Sequence, residues 1–593
     1  MTNKVRISFG RVFWPSLLAS VIVLIILVGF FFALIGSLMA DKKPYAIKKN
    51  TVLHMTLSGN IAETSDANFD PTTFNIVSSV GMSSLLYGLE RAAKDDKVAG
   101  LFIEIESANC GYARATEIRN AINQFEASGK FVVTYLQGEA IGIKQYYIAS
   151  AANEIYGFPS SMFEFGGLGA ELMYFKRLFD KLDLEMQVVR GSDNDFKSAV
   201  EPYFLEKMSD SSRIQIQRYL NSMWEEVTTA IGKERGISVQ QLNEYADNTS
   251  IRRVSHAVNY NLVNASKYRD EVLQLLAEKT GVSSSDDLEL ENFNRYARNK
   301  FNMNQRITKG KKPNIAVISA EGVVTKKGEG LSSDKITKLI KEARQDENIK
   351  VIVFRINSPG GSALASDEIW REVMLTRELK PVIVSMGDVA ASGGYYMAVP
   401  AHRIFAEANT VTGSIGVFGV IPYTGSMLEN KLGLTFDRVG TNTRSVLSTN
   451  KKLSPEEFAI IQEEVDFIYE EFLERVAEGR NMTLEAVHQI ARGRVWTGKD
   501  ALKNGLIDEI GGLSSAIKYA QQHVDISDED AQIIYYPKRK VEPWMEILEA
   551  FDDKNTEVQP KTIPAELMKY YELIQSVEDH IGIQARLPYE IKF

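Results

Sequence analysis

The sequence predicts an α/β chain made of two similar lobes, each built on a mostly parallel sheet. Three observations carry that prediction. Residues 138–150 (GEAIGIKQYYIAS) and 387–399 (GDVAASGGYYMAV) align without a gap, and each is followed by a short Ile-centred strand, residues 154–156 and 403–405. Upstream, apolar runs of buried-strand length at 98–105 (VAGLFIEI) and 349–356 (IKVIVFRI) lead into helical patterns and then into second apolar runs at 131–135 and 381–386. Strand, helix and strand at this rhythm imply βαβ crossovers, and the repeat implies duplication. With 593 residues, 44% of them hydrophobic, the chain is long enough for more than one core.

In chain order, the first element is an uncharged segment at residues 12–40, dominated by Leu, Ile, Val and Phe and preceded by Lys4, Arg6 and Arg11. It is long enough to cross a bilayer. It also exceeds the apolar run of a cleavable signal peptide, and Leu38-Met39-Ala40 is a poor cleavage site, so residues 1–45 read as a retained N-terminal transmembrane anchor. Lys42, Lys43, Lys48 and Lys49 balance the basic residues before it, so the charge rule alone leaves its orientation open. The first lobe is expected over 46–305 and the second over 306–535. The boundary falls in the polar, basic stretch 292–312, which lacks a strong core period and reads as a solvated linker. Residues 536–593, with Pro537, Pro543, Pro560 and Pro564 around short amphipathic runs, read as a packing or assembly extension.

Composition excludes several function classes. Sixty-eight Lys and Arg stand against 77 Asp and Glu, a net charge of −9 without a basic block, so no nucleic-acid partner is expected. The single cysteine, Cys110, permits no internal disulfide. Six scattered histidines without HExxH or CxxC give no metal site, and no cofactor is indicated.

The second lobe carries two chemically suggestive loops. Asn357-Ser358-Pro359-Gly360-Gly361-Ser362 follows a strand and precedes a helix from about Ala365. Its glycines let backbone amides approach a ligand, which suits an oxyanion, although Pro-Gly-Gly is also ordinary turn chemistry. Gly387-Asp388-Val389-Ala390-Ala391-Ser392-Gly393-Gly394-Tyr395-Tyr396 ends a second strand with a sterically open serine. Ser392 is the nucleophile candidate, with the Gly393 amide placed to receive negative charge; an N-cap serine is the plain alternative. The repeat weighs against that alternative, because Ile143 stands opposite Ser392 in the first lobe. No histidine has a persuasive setting, and His402 reads as a strand-end residue, so a Ser-His-Asp triad is disfavoured. A buried lysine is the next base to consider. Lys197, in Asp195-Phe196-Lys197-Ser198-Ala199-Val200-Glu201-Pro202, sits among apolar residues, but a lysine in such a mixed segment is ordinarily solvated.

Taken together, NSPGGS at 357–362, GDVAASGGYY at 387–396 and FKSAVEPY at 196–203 resemble the signal peptide peptidase A family of bacterial membrane-anchored serine proteases, in its long double-length form. The resemblance implies Ser392 as nucleophile, Lys197 as general base, and oxyanion amides from Gly360, Gly361 and Gly393. It implies two tandem lobes of the Clp protease and crotonase fold, made of repeated ββα units. It also implies a homotetrameric bowl held at the bacterial inner membrane by the N-terminal helix, with its lobes on the periplasmic side, acting on cleaved signal peptides and other membrane-associated peptides. Arg444-Ser445-Val446 falls near where the second lobe would repeat Lys197-Ser198-Ala199, and arginine cannot act as a base, so the first lobe supplies the lysine and the second the serine. Ser198 is a candidate to orient the lysine.

Two other classes fit parts of the pattern. A crotonase-type acyl-CoA enzyme shares a glycine-rich oxyanion loop but uses carboxylates. A catalytically silent membrane scaffold would keep the fold alone. Ser332-Ser333-Asp334-Lys335 matches a Ser-x-x-Lys pattern without the companion Lys-Thr-Gly and carries little weight.

Overall fold

A computed structural model describes residues 46–64, 67–70, 75–78, 81–300, 305–306, 311–328, 330–537 and 582–586, with 14, 17, 18, 20, 22 and 23. The predicted anchor at 12–40 lies outside the described residues apart from those last six; among the described residues no helix is long and apolar enough to cross a membrane. The chain divides into two units. One comprises Met1–Lys48, Asn68–Val77 and Lys540–Gln559, and its described part is chiefly the strand segments at 68–70 and 75–77. The other comprises Lys49–Ala67, Ser78–Arg539 and Pro560–Phe593, and holds everything discussed below.

Two parallel sheets form its frame. The first has six strands in the order Ala265–Ser266, Glu154–Gly157, Phe131–Leu136, Val98–Ile105, Thr51–Leu57 and Leu290–Asn292, all parallel. The second runs through Ile533–Tyr536, Ile315–Glu321, Val351–Ser358, Val382–Ala391, Arg403–Ala406 and Glu509–Ile510, again parallel, with Gln305–Arg306 antiparallel at one edge. The four strands from Thr51–Leu57 to Glu154–Gly157 neighbour one another as do the four from Ile315–Glu321 to Arg403–Ala406. These strands are near-continuous Val, Ile and Leu runs because helices cover both faces, the usual signature of buried parallel strands.

Three local departures from the sequence reading have physical causes. The Val382–Ala391 strand runs five residues beyond the apolar run at 381–386, because it slips register after Met386 and gains a new partner in Val411–Gly413. The helix after NSPGGS begins at Ala363, since Ser362 caps it by accepting the Ala365 amide at 3.3 Å. The presumed linker starts with a helix, Phe293–Lys300, whose Phe293, Tyr296 and Ala297 are buried at i, i+3 and i+4. That stripe is hidden in the sequence by the charged residues around it.

The two halves are tied together by buried charge. Arg355, fully buried on Val351–Ser358, donates through Nε and Nη2 to Glu63 at 2.9 and 3.0 Å, through Nη2 to Glu117 at 2.6 Å, and through Nη1 to Ser385 Oγ and the Met386 carbonyl at 2.9 and 3.0 Å. Asp388, four residues before Ser392, accepts the Gly111 and Arg114 amides at 2.8 and 2.9 Å and pairs with the Arg114 guanidinium. Glu63, Gly111, Arg114 and Glu117 come from the first half and Arg355 and Asp388 from the second. Every donor of the buried guanidinium finds an acceptor, which is the condition for tolerating such a group.

Glu407 lies beside this network, 3.4 Å from Asn120 Nδ2, and burial, with Glu117 and its charge nearby, pushes its carboxyl up to about 8. In the unfolded chain the value is about 4.3, so between these limits folding takes up a proton and stability falls as pH rises, by about 1.4 kcal/mol for each pH unit at most. Glu407→Gln is neutral throughout. The variant is expected to melt with the wild type at pH 4 and above it at pH 8.5, as read by thermal unfolding across pH; parallel curves would refute a protonated Glu407.

Candidate active site

Ser392 occupies the turn between the Val382–Ala391 strand and the short Gly393–Ala398 helix, with φ 55° and ψ −118°. This is a region that non-glycine residues rarely enter, at a cost of about 1–3 kcal/mol, and it persists because the backbone is held on both sides. The Ser392 amide donates to the Gly413 carbonyl at 2.7 Å, and its own carbonyl accepts the Tyr396 amide at 2.8 Å. The side chain does not cap the helix it precedes. Instead, Ser392 Oγ, fully buried, lies 2.8 Å from Lys197 Nζ.

Lys197 arrives from the other half of the chain. Its segment follows the Glu185–Arg190 strand, which adds antiparallel to Phe418–Tyr423 with Val189 opposite Gly419. Beyond the strand, the Gly191 amide donates to the Val417 carbonyl at 3.2 Å and the Phe196 amide to Arg492 at 3.0 Å. Gly493, at φ +79°, lies so close beneath Lys197 that a Cβ there would stand 2.5 Å from the Lys197 backbone nitrogen. The Arg494 guanidinium covers the Phe196 ring at 4.1 Å. Ala199, Val200 and Tyr203 then pack against Phe418 and Val420. Residues of the second half therefore hold the backbone from which the lysine projects.

The amine has three polar neighbours. Besides Ser392 Oγ, Lys197 Nζ lies 2.9 Å from both the carbonyl oxygen and the hydroxyl of Ser414. Lys197 is fully buried, and desolvation pushes its ammonium well below the usual lysine range. Ser414, with φ 51°, is fixed by donating its amide to the Arg494 carbonyl at 2.6 Å. Sequence reasoning missed it, because its position depends on the pairing of Val411–Gly413 with the serine strand. Ser198, the residue expected to orient the lysine, is buried, but its hydroxyl has no hydrogen-bond partner among the described residues. It opens a 3-10 turn, and the place at Nζ goes to Ser414. Glu201 of the same motif accepts from the Ser209 hydroxyl and amide, at 2.6 and 3.1 Å.

The glycine loop abuts the serine turn. A Cβ at Gly394 would stand 2.6 Å from the Ser358 carbonyl oxygen, so the helix beginning at Gly393 packs directly on Ser358-Pro359-Gly360-Gly361. The Gly393 amide is in the first helical turn, where amides have no intrahelical acceptor. Gly360 and Gly361 have φ of 95° and 155°, and a side chain at Gly361 would run into the Val324 backbone. The Gly360 amide donates to Ser358 Oγ at 3.1 Å.

Beside the loop lies a slot filled by the chain itself. Gly360–Ser362, Gly582–Arg586, Phe418–Tyr423 and Glu185–Arg190 form a four-stranded antiparallel sheet in that order. Gly361 is opposite Ala585, and Phe418 is opposite Gln584 on the other edge of the same strand. The C-terminal extension thus contributes a strand against the candidate oxyanion loop. Elsewhere, His402 accepts the Val382 amide, and Lys335 of the Ser-x-x-Lys pattern is exposed.

The chain matches Peptidase family S49 over residues 124–283 and 375–527, stretches that include Lys197 and Ser392. It is 32% identical to Serine protease SPPA, chloroplastic, of Arabidopsis thaliana, over 81% of this chain and 70% of that protein. It is 31% identical to Protease 4 of Haemophilus influenzae, over 83% of this chain and 82% of the relative, and 33% identical to Protease 4 of Salmonella typhi, over 75% and 73%. A solved structure of a ClpP1 mutant from Listeria monocytogenes covers 34% of this chain and 94% of its own at 16% identity and a TM-score of 0.25. Two matched stretches, one in each half, and three relatives aligned over most of their length lead to one conclusion: the chain belongs to peptidase family S49 and is a serine peptidase.

Proposed function

We propose that Ser392 and Lys197 form a Ser/Lys dyad that hydrolyses peptide bonds. The observation that carries this is a buried amine 2.8 Å from the oxygen of a serine in a strained turn, its ammonium form disfavoured by desolvation alone. A neutral amine has two N–H donors and one lone pair. With both donors on Ser414, the lone pair accepts the Ser392 hydroxyl proton as Oγ attacks the peptide carbonyl carbon. The oxyanion is received by the Gly393 amide together with an amide of the Gly360-Gly361 loop. Collapse breaks the C–N bond, and the Lys197 ammonium returns its proton to the leaving amine. Water then attacks the acyl carbon with Lys197 again as base, releasing the acid and restoring Ser392.

The slot between Gly360–Ser362 and Phe418–Tyr423 suits a substrate that binds as an extended strand, since a strand of the chain already fits there. The apolar segment at 12–40 supports a single-pass membrane anchor; its placement in the inner membrane, the lobes on the periplasmic side and cleaved signal peptides or other membrane-associated peptides as substrates follow from the resemblance to the signal peptide peptidase A family. Assembly as a homotetramer completes the reading.

A serine-directed phosphonate is expected to label the full-length protein once, at Ser392, by intact mass. Ser392→Ala should abolish labelling, and Lys197→Ala should slow it by about 10³-fold or more. Labelling unaffected by Lys197→Ala would dismiss the dyad. No labelling of the wild type would favour the scaffold, and acyl-CoA turnover surviving Ser392→Ala would favour the crotonase-type enzyme.

The pH dependence has a fixed sign. Only the neutral amine is a base, so the labelling rate should rise with pH and level off above the lowered lysine value, with a midpoint well under the roughly 10.4 of free lysine. A midpoint at or above that value would exclude Lys197 as the base.

Because Gly582–Arg586 fills the slot, a chain ending at residue 581 is expected to hydrolyse peptides with a lower KM and little change in kcat. Unchanged steady-state constants would mean that substrates do not use this slot.

A further inference from the structure

Where the serine strand slips out of register with its neighbour, one side chain fills the gap. Ile356 pairs with Met386 and Ser358 with Ala390, so Asn357 alone stands against three residues, Gly387, Asp388 and Val389. Asn357 Oδ1 accepts the Val389 amide at 3.1 Å. On its other side Asn357 Nδ2 donates to Glu321 Oε1, also at 3.1 Å. A Cβ at Gly387 would stand 3.0 Å from Asn357 Cβ and Cγ, so the glycine makes the room that the carboxamide occupies.

The two partners demand opposite chemistry. A backbone N–H requires an acceptor and a carboxylate requires a donor, and a carboxamide offers one of each. An aspartate of the same shape would present oxygen to both. Asn357 directly precedes the Ser358-Pro359-Gly360-Gly361 loop, and Val389 lies three residues before Ser392, so this side chain spans the two elements that must meet at a substrate carbonyl. In the first half, where isoleucine replaces the serine, the residue after the matching strand Val98–Ile105 is Glu106, which accepts from the Gln137 side chain at 3.0 Å. That is a contact between side chains, where the second half has a side chain gripping backbone.

We propose that Asn357 is a positioning residue for peptide hydrolysis: by holding the Val389 amide and the Glu321 carboxylate at once, its carboxamide sets the spacing between the glycine loop and the Ser392 turn. The proposal rests on the Ser392 and Lys197 reading above and adds to it a residue outside the dyad. Glu321 is itself set by the first half, because it accepts the Glu63 amide at 3.2 Å and Arg114 Nη1 at 3.4 Å. Arg114 also pairs with Asp388, and the Glu63 carboxylate with Arg355. The charged groups around the carboxamide are therefore Glu321, Glu63, Arg114, Asp388 and Arg355. Burial, with the Glu63 charge nearby, already pushes the Glu321 carboxyl above its ordinary range. In Asn357→Asp a second carboxyl would face Glu321. At low pH the two share a proton and keep the hydrogen bond; as pH rises the proton is lost and the pair repels.

The test compares rates of phosphonate labelling of Ser392 in the full-length protein between about pH 5 and about pH 9. Asn357→Asp is expected to lag the wild type by about tenfold at the alkaline end, the size of one hydrogen bond to a charged group, and to approach it at the acid end. Adding Glu321→Gln, which offers a donor from the opposite side, should restore the rate and remove the pH dependence of the variant-to-wild-type ratio. Asn357→Ser, too short to reach both partners, decides the matter where Asn357→Asp does not fold: in steady-state peptide hydrolysis kcat should fall by about tenfold with KM unchanged, because the residue lies outside the substrate slot. A ratio that does not change with pH, no recovery on adding Glu321→Gln, or a wild-type kcat in Asn357→Ser would each overturn the proposal. With a wild type that labels normally, such a result counts against Asn357 alone. A wild type that does not label removes the dyad, and this proposal with it.

Discussion

The structure depends on keeping one amine out of water next to one hydroxyl, with the two groups supplied by distant parts of the chain. Among the described residues, Lys197 Nζ has no carboxylate as a hydrogen-bond partner; it bonds only Ser392 and Ser414. Burial without a counter-ion disfavours the ammonium, and a side chain that prefers water must therefore be restrained by everything around it. The restraint is built mainly into the backbone. A sheet strand ends just before the lysine segment, the Arg492-Gly493 turn lies under it, and Arg494 both covers Phe196 and holds Ser414. The partner of that strand, Phe418–Tyr423, and the other restraints come from the half that carries the serine.

The same logic explains why so much charge is buried between the halves. Hydrophobic contact alone is tolerant of small slips, whereas a guanidinium with all its donors matched to fixed acceptors is not. Arg355 reads the positions of Glu63 and Glu117 from the first half and of Ser385 and Met386 on the serine strand. Asp388 does the same from that strand, using the Gly111 and Arg114 amides at the start of the Tyr112–Glu126 helix. The network costs desolvation energy and returns a defined register, and that register fixes the strand on which Ser392 sits.

Much of this was legible in the sequence, for identifiable reasons. Parallel strands buried on both faces announce themselves as apolar runs, so Val98–Ile105 was read to the residue and Val351–Ser358 to within two. Ser392 and Lys197 stood out through motif context. Three features were not legible because they are set by tertiary pairing. Ser414 is a second serine beside the amine only because Val411–Gly413 pairs with the Val382–Ala391 strand. Ser198 looked better placed by adjacency, yet adjacent side chains on a 3-10 turn point apart. The Gly582–Arg586 strand is only five residues long, and its place beside the glycine loop is set by backbone pairing, which leaves little trace in residue identity.

Duplication makes the divided site intelligible. In this chain only the first half's loop carries Lys197, and only the second half's turn carries Ser392. Ile143 now stands at the serine position of the first half, and residues 444–446 lack a basic group that can be deprotonated. Under the proposed dyad the redundant copy needs neither group, because one serine and one lysine suffice for each site.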